Sequence, residues 1–373
     1  MTLEAQAAQP VTRPPLIQVK STAFWCVIAL AVLGLWNLRR DFLPVMATFP
    51  ASAVINVLIL ALSLVVGMWL ARRVMRPVQG PPWAGAWLAI AWGGLAACGL
   101  AIIANTALLS VWSKTLDTGA SSWSAALTAP LNEETLKLAG VVMLAAVSTR
   151  LIRSAADGLV FGALVGLGFQ VMENFTYGLN AIASVSGGVD PVGTTVTTLT
   201  IRILGTGFGS HWAMSAVAGA GIGYLVSASN RPPARRIGVA VGCWVLAMAM
   251  HWQFDSPLMD GGLLMFLKPV INLLVVMAVY TVVRRNFRAR WDRIAAEEVA
   301  AGVMLPEEAQ SLSRRRSRRK YLAGTLAGTP EHHTRAKVQR LELELIEDRM
   351  PQRAGASEGR AIREQIASAR VGP

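Results

Sequence analysis

The chain has 373 residues, 53% hydrophobic and only 15% charged, with a mean hydropathy of +0.46 and a formal net charge of +13. Soluble domains carry about 25% charged residues, so a soluble globular protein is excluded and a polytopic membrane protein is expected. The positive charge sits in short clusters between apolar runs and in the last part of the chain, which is the pattern of basic cytoplasmic loops, and nucleic acid is not called for as a partner.

Residues 1–20 are rich in Pro and Ala, lack a convincing cleavage site and read as an N-terminal tail. Eight apolar segments then follow, each long enough to cross about 30 Å of hydrocarbon. They fall at about 21–38, 51–71, 83–112, 122–148, 156–182, 196–228, 236–254 and 262–283. The fold class expected is therefore all-α, a membrane helix bundle over 21–283 with about eight transmembrane helices. Cys26, Cys98 and Cys243 lie inside apolar runs and make no disulfide or zinc-finger pattern.

Arg72, Arg73 and Arg76 follow the second segment, Arg150 and Arg153 the fourth, and Arg231, Arg235 and Arg236 the sixth. Arg284, Arg285, Arg288 and Arg290 follow the last, while the alternate loops are poor in basic residues. The positive-inside rule then places both termini in the cytoplasm of a bacterial-type plasma membrane, with Arg39 and Arg40 as the exception. Residues 284–373 read as a basic cytoplasmic tail, solvated and partly disordered, with a short charged helix at 337–348. Its run from Ser313 to Lys320 is of the kind that rests on anionic lipid. No internal repeat, phosphate-binding loop or interrupted helix is read from the sequence.

Four of the segments carry groups that lipid excludes. A charged side chain at the bilayer centre costs about 2.5–3.5 kcal/mol on insertion scales, so such residues default to functional candidates. The fourth segment has Pro130 followed by Glu133, Glu134 and Lys137, with the lysine one turn from both acids. The fifth has Phe169, Glu173 and Asn174; the sixth has Arg202 and His211; the seventh ends in His251 and Asp255, again one turn apart. Counted from the expected loops, all of them fall between the midplane and the outer half of the bilayer, with Glu133 about 18 Å from the outer face. A purely structural polar network is the bland alternative. Agreement in level across four helices favours one buried centre.

These residues, in this order, resemble the PrsW family of intramembrane proteases, within a superfamily that includes the CAAX prenyl endopeptidases and Abi-like membrane proteins. The resemblance rests on Glu133-Glu134-x-x-Lys137, Phe169-x-x-x-Glu173-Asn174, Arg202 upstream of His211, and His251-x-x-x-Asp255, and it covers about 120–260 as a protease core. It implies an endopeptidase that cleaves a membrane-anchored protein, such as an anti-sigma factor or similar regulator.

Peptide hydrolysis needs an activated water and a stabilised oxyanion. Glu133 or Glu134 is expected as general base, with His211 and His251 orienting water or polarising the carbonyl, and with Lys137, Asn174, Arg202 and Asp255 in support. In a metal version, Glu173, His211 and His251 would ligate a divalent ion such as zinc and leave one position open for water. Glutamate-driven activation is slightly preferred, and metal is kept open. A proton- or cation-coupled transporter would use the same acids and imidazoles as a relay, and an inactive scaffold would merely retain them.

Overall fold

The computed structural model describes residues 16–184, 190–351 and 359–371, and among these it is helical with no strand. Most of the N-terminal tail, residues 1–15, lies outside the described residues. Among the described residues, six helices are long and apolar enough to cross a membrane: Thr22–Thr48, Pro50–Met75, Trp83–Thr115, Ala155–Ser184, Pro233–Asp255 and Gly262–Ala300. Their outer faces present large apolar side chains such as Trp36, Leu62, Val65 and Leu274, which in water would be a liability and in lipid are solvated. Two further helices complete the bundle: α5, Ser124–Val147, which carries Glu133, Glu134 and Lys137, and α8, His211–Ser227, which is only 17 residues long.

Helix α6, Ala155–Ser184, is the axis of the bundle. It packs most extensively on α8 and also touches α2 (Pro50–Leu70), α3 (Trp83–Ala91), α5 and α7 (Pro191–Thr200). The close approach to α8 depends on small residues repeated every fourth position. A Cβ on Gly162 would strike the Ser215 carbonyl and come within 3.0 Å of the Gly219 Cα, so the two backbones lie in direct contact. Helix α9, Pro233–Asp255, closes on α8 and α5 and completes the wall that carries His251.

Four features depart from the sequence reading. Helix α1, Thr22–Thr48, runs well past Arg39 and Arg40, which lie within it rather than at its end. The stretch at 196–228 is not one helix: α7 passes through a π-helical turn, Ile201–Thr206, and a 3-10 turn, Gly207–Gly209, before α8 starts at His211. The segment at 262–283 belongs to a helix, α10, that continues from Leu267 to Ala300. Finally, the region from 284 onward is not a loose tail among its described residues. It forms α11 (Pro306–Leu312), α12 (Arg315–Leu322), α13 (Pro330–Asp348) and α14 (Arg360–Val371) around a core of Phe287, Trp291, Leu312, Leu345, Ile346 and Ile366. The short helix expected at 337–348 lies within α13. The apolar residues of this core are spaced between Glu and Arg, so composition alone reads them as a polar tail.

This C-terminal unit is tied to one end of the bundle. Arg76, buried between α2 and α3, pairs with Asp157 on α6 at 2.8 Å and with Glu347 on α13 at 3.0 Å, and Arg153 reaches Glu347 at 2.8 Å. Two of the basic loops picked out by the positive-inside rule therefore meet the same face of the C-terminal unit.

Inside that unit, burial and the neighbouring Glu308 push the Glu342 carboxyl up to about 9 from 4.5, while Arg370 sits against both acids. The folded unit holds a proton there that the unfolded chain releases above pH 4.5. Its packing is thus most stable below that pH and loses stability as the pH rises towards about 9. Glu342→Gln is expected to flatten this slope, read as the pH dependence of protease nicking between 300 and 350. An unchanged slope would mean that Glu342 keeps no proton in the folded unit.

Candidate active site

Pro130 lies inside α5, where its missing N–H and its ring loosen the helix one turn before the acids. From there Glu133, Glu134 and Lys137 turn inward, and all three are buried. Lys137 Nζ lies 2.5 Å from Glu134 Oε1, 3.6 Å from Glu133 Oε2 and 3.0 Å from His211 Nδ1, over the Phe169 ring at 4.3 Å.

His211 is the first residue of α8, immediately after the helix break. The break is held by side chains: Gln170 Nε2 donates to the Gly207 carbonyl at 3.1 Å, Ser210 Oγ donates to Gln170 Oε1 at 2.8 Å, and Trp212 Nε1 donates to the Gly207 carbonyl at 3.2 Å. Irregular backbone at membrane depth needs such partners because lipid offers none. His211 Nε2 meets Glu173 Oε2 at 2.8 Å, and Arg202 clamps that acid at 2.6 Å while donating to Asn174 Oδ1 at 2.7 Å and covering the Tyr177 ring. The π-helical turn at Ile201–Thr206 carries Arg202 in this role.

His251, on the last turns of α9, meets Glu134 Oε1 through Nδ1 at 2.8 Å. Its Nε2 faces two carboxylates, Asp255 Oδ2 at 3.3 Å and Glu133 Oε2 at 3.8 Å. The two imidazole rings stand edge to face, 5.1 Å apart. Every residue singled out in the sequence thus belongs to one connected network, assembled from α5, α6, the π-helical turn, α8 and α9.

Asn105 on α4, Cys98–Thr115, was not anticipated. Its Nδ2 donates to Glu133 Oε1 at 2.9 Å, and its Oδ1 accepts from Asn132 at 3.1 Å. An amide inside an otherwise apolar run was the available signal. Gln170 and Ser210 were missed because their roles arise only at a helix break. With Oε1 held by Asn105, Glu133 Oε2 turns into the centre, where it is buried and has no hydrogen-bond partner.

The donor set fits a divalent cation. Glu133, His211 and His251 offer ligand atoms that all lie within 4.8 Å of one another. Each imidazole has one nitrogen held by a carboxylate, His211 by Glu173 and His251 by Glu134, the arrangement that fixes a metal-binding tautomer. The other nitrogens converge on Glu133 Oε2, at 3.9 and 3.8 Å, with Lys137 Nζ 3.0 Å from His211 Nδ1 and Asp255 Oδ2 3.3 Å from His251 Nε2 at the edge of the same centre. Charge agrees as well: four carboxylates (Glu133, Glu134, Glu173, Asp255) surround two cations (Lys137, Arg202), which leaves about two negative charges when both imidazoles are neutral. The three groups that lie within reach of one ion differ from the set expected in sequence. Glu173 is committed to Arg202 and His211 Nε2, and Glu133 stands in its place beside both histidines.

The sequence model of the PrsW family of intramembrane metalloproteases matches residues 81–284. No curated protein and no solved structure matches the chain.

Proposed function

The chain belongs to the PrsW family of intramembrane metalloproteases, and from that premise we propose that it is an eight-span endopeptidase which cleaves a membrane-anchored protein, such as an anti-sigma factor or similar regulator. The six apolar helices, together with the charged α5 and the short α8, provide the eight crossings. The face that carries the C-terminal unit is assigned to the cytoplasm of a bacterial-type plasma membrane, because the basic loops converge on it through Arg76 and Arg153. The site then opens in the outer half of the bilayer.

The observation that carries the reading is Glu133 Oε2, buried, without a hydrogen-bond partner and facing both imidazoles. Glu133, His211 and His251 would hold a divalent metal there, which would polarise the scissile carbonyl and make water acidic enough to react near neutral pH. Glu134 Oε2, also buried and unpartnered, takes the proton from the attacking water, while its Oε1 is held by Lys137 and His251. Glu134 then passes that proton to the leaving amine as the peptide C–N bond breaks, and His251, whose Nδ1 meets Glu134 Oε1, holds that carboxylate in place. Lys137 supplies positive charge for the developing oxyanion. Glu173, Asn174 and Arg202 set the orientation of His211, and Glu134 that of His251, with Asp255 beside its Nε2.

The interrupted helix at 207–210 also suits a proton- or cation-coupled transporter, so transport is the competing reading. Both are tested by comparing membrane-protein fragments from cells that express wild type, Glu134→Gln or Glu133→Gln at equal levels. New N-termini near a membrane boundary should be present with the wild type alone. Identical fragment patterns under envelope stress, with ion flux that an uncoupler abolishes, would replace the protease by a transporter. In purified protein, a strong chelator should remove cleavage and added zinc or another divalent ion should restore it. Cleavage that survives metal removal would leave Glu133 as a base acting without metal.

A further inference from the structure

The strongest unassigned feature lies far from the catalytic network, at the end of the bundle that carries α11–α14. Helix α12 is pinned to the connection between α2 and α3: Arg315 donates to the Arg72 carbonyl at 3.3 Å, and Arg318 donates to the Val78 carbonyl at 3.0 Å. The π-helical turn Ala71–Met75 ends the membrane-crossing segment Pro50–Met75, so this connection lies at the membrane surface. Arg72 stacks on the exposed Trp83 at 3.5 Å, and tryptophans of this kind sit at headgroup level.

The docking of α12 there gathers like charges. Burial, and then Arg73 and Arg319 beside it, lower the pKa of Arg315. Arg73, Arg315 and Arg319 are exposed, and among the described residues no carboxylate pairs with them or with Arg72. The contrast with the rest of the unit is sharp, since Arg349, Arg363 and Arg370 are all ion-paired. Backbone carbonyls hold two of these arginines, Arg315 on Arg72 and Arg72 on Pro81, and Arg73 and Arg319 lie beside Arg315, so four guanidinium groups meet without an acid and the site lacks only its anion. Guanidinium forks match phosphate oxygens in geometry and charge.

We infer that Arg72, Arg73, Arg315 and Arg319 form a binding site for the headgroup phosphate of an anionic phospholipid, which fastens α12, and through it the C-terminal unit, to the membrane surface. The neighbouring lipid-exposed face of α2 leaves room for the acyl chains beside the phosphate. This site does not depend on the protease reading.

The test uses native mass spectrometry of the full-length detergent-purified protein with phosphatidylglycerol, phosphatidylcholine or inorganic phosphate. Wild type should retain phosphatidylglycerol in preference to phosphatidylcholine. The double variant Arg73→Gln/Arg319→Gln should bind it roughly 30-fold more weakly, the loss expected for two arginines near a charged headgroup. Both side chains are exposed and unpaired, so folding should be kept. A charge-matched control, Arg231→Gln/Arg235→Gln, removes two exposed arginines elsewhere on the chain and should have no comparable effect. Equal losses in the two double variants would reduce the effect to general basicity and overturn the site. Displacement of the lipid by inorganic phosphate at similar concentration would overturn the lipid assignment.

Discussion

Glu133→Gln is expected to abolish cleavage of the membrane-anchored substrate, by at least about 10³-fold in kcat/KM, with the full-length protein still folded. The amide keeps the size of the side chain and its bond with Asn105, so the loss falls on the oxygen that points into the centre. It removes one of the three donors in the metal set and one negative charge among four. Two readouts therefore move together: turnover of a reporter with a single transmembrane helix, and bound divalent metal measured on the purified protein. Glu173→Gln separates the two proposed ligand sets. It leaves Glu133, His211 and His251 in place and weakens the bond that orients His211 together with the Arg202 ion pair behind it, so metal should remain bound while turnover falls. If Glu173→Gln releases the metal and Glu133→Gln retains it, the ligand assignment argued from the geometry is wrong.

Gly162→Leu should prevent the bundle from assembling, with a cost of about 3 kcal/mol or more in stability. The added side chain has to enter a contact where the backbones of α6 and α8 already touch, and neither helix can retreat without moving its catalytic end. Glu173 and His211 sit on these two helices, and Gly166 next along α6 lies against the His211 carbonyl itself. The expected result is little full-length protein in the membrane, and aggregation in detergent. Gly238→Leu is the matched control, since nothing lies within 4 Å of the position its Cβ would take. Normal yield and an unchanged melting temperature for Gly162→Leu would show that α6 and α8 pack less tightly than described.

The sequence by itself determined a helical membrane protein and the inventory of its polar centre. In an apolar setting a charge is costly wherever it falls, so Glu133, Glu134, Lys137, Glu173, His211, His251 and Asp255 stand out without any knowledge of contacts. Spacing within one helix also added real information, because Lys137 does lie over both glutamates and His251 does face Asp255.

Tertiary structure alone decided what those groups face. Lys137 meets His211 across 74 residues and Glu134 meets His251 across 117, distances over which no periodicity carries a signal. Which glutamate joins the histidines depended on rotation and depth of whole helices: Arg202 draws Glu173 to one side, and Asn105 turns Glu133 to the centre. The break before His211 was hidden because apolar sequence runs on past it on both sides, and its backbone is satisfied by Gln170 and Trp212 from outside the turn. The folded C-terminal unit was hidden for a related reason. The charges around its core are consumed in pairs such as Glu298 with Arg349 and Arg363, and pairing, unlike charge itself, exists only once the chain has folded.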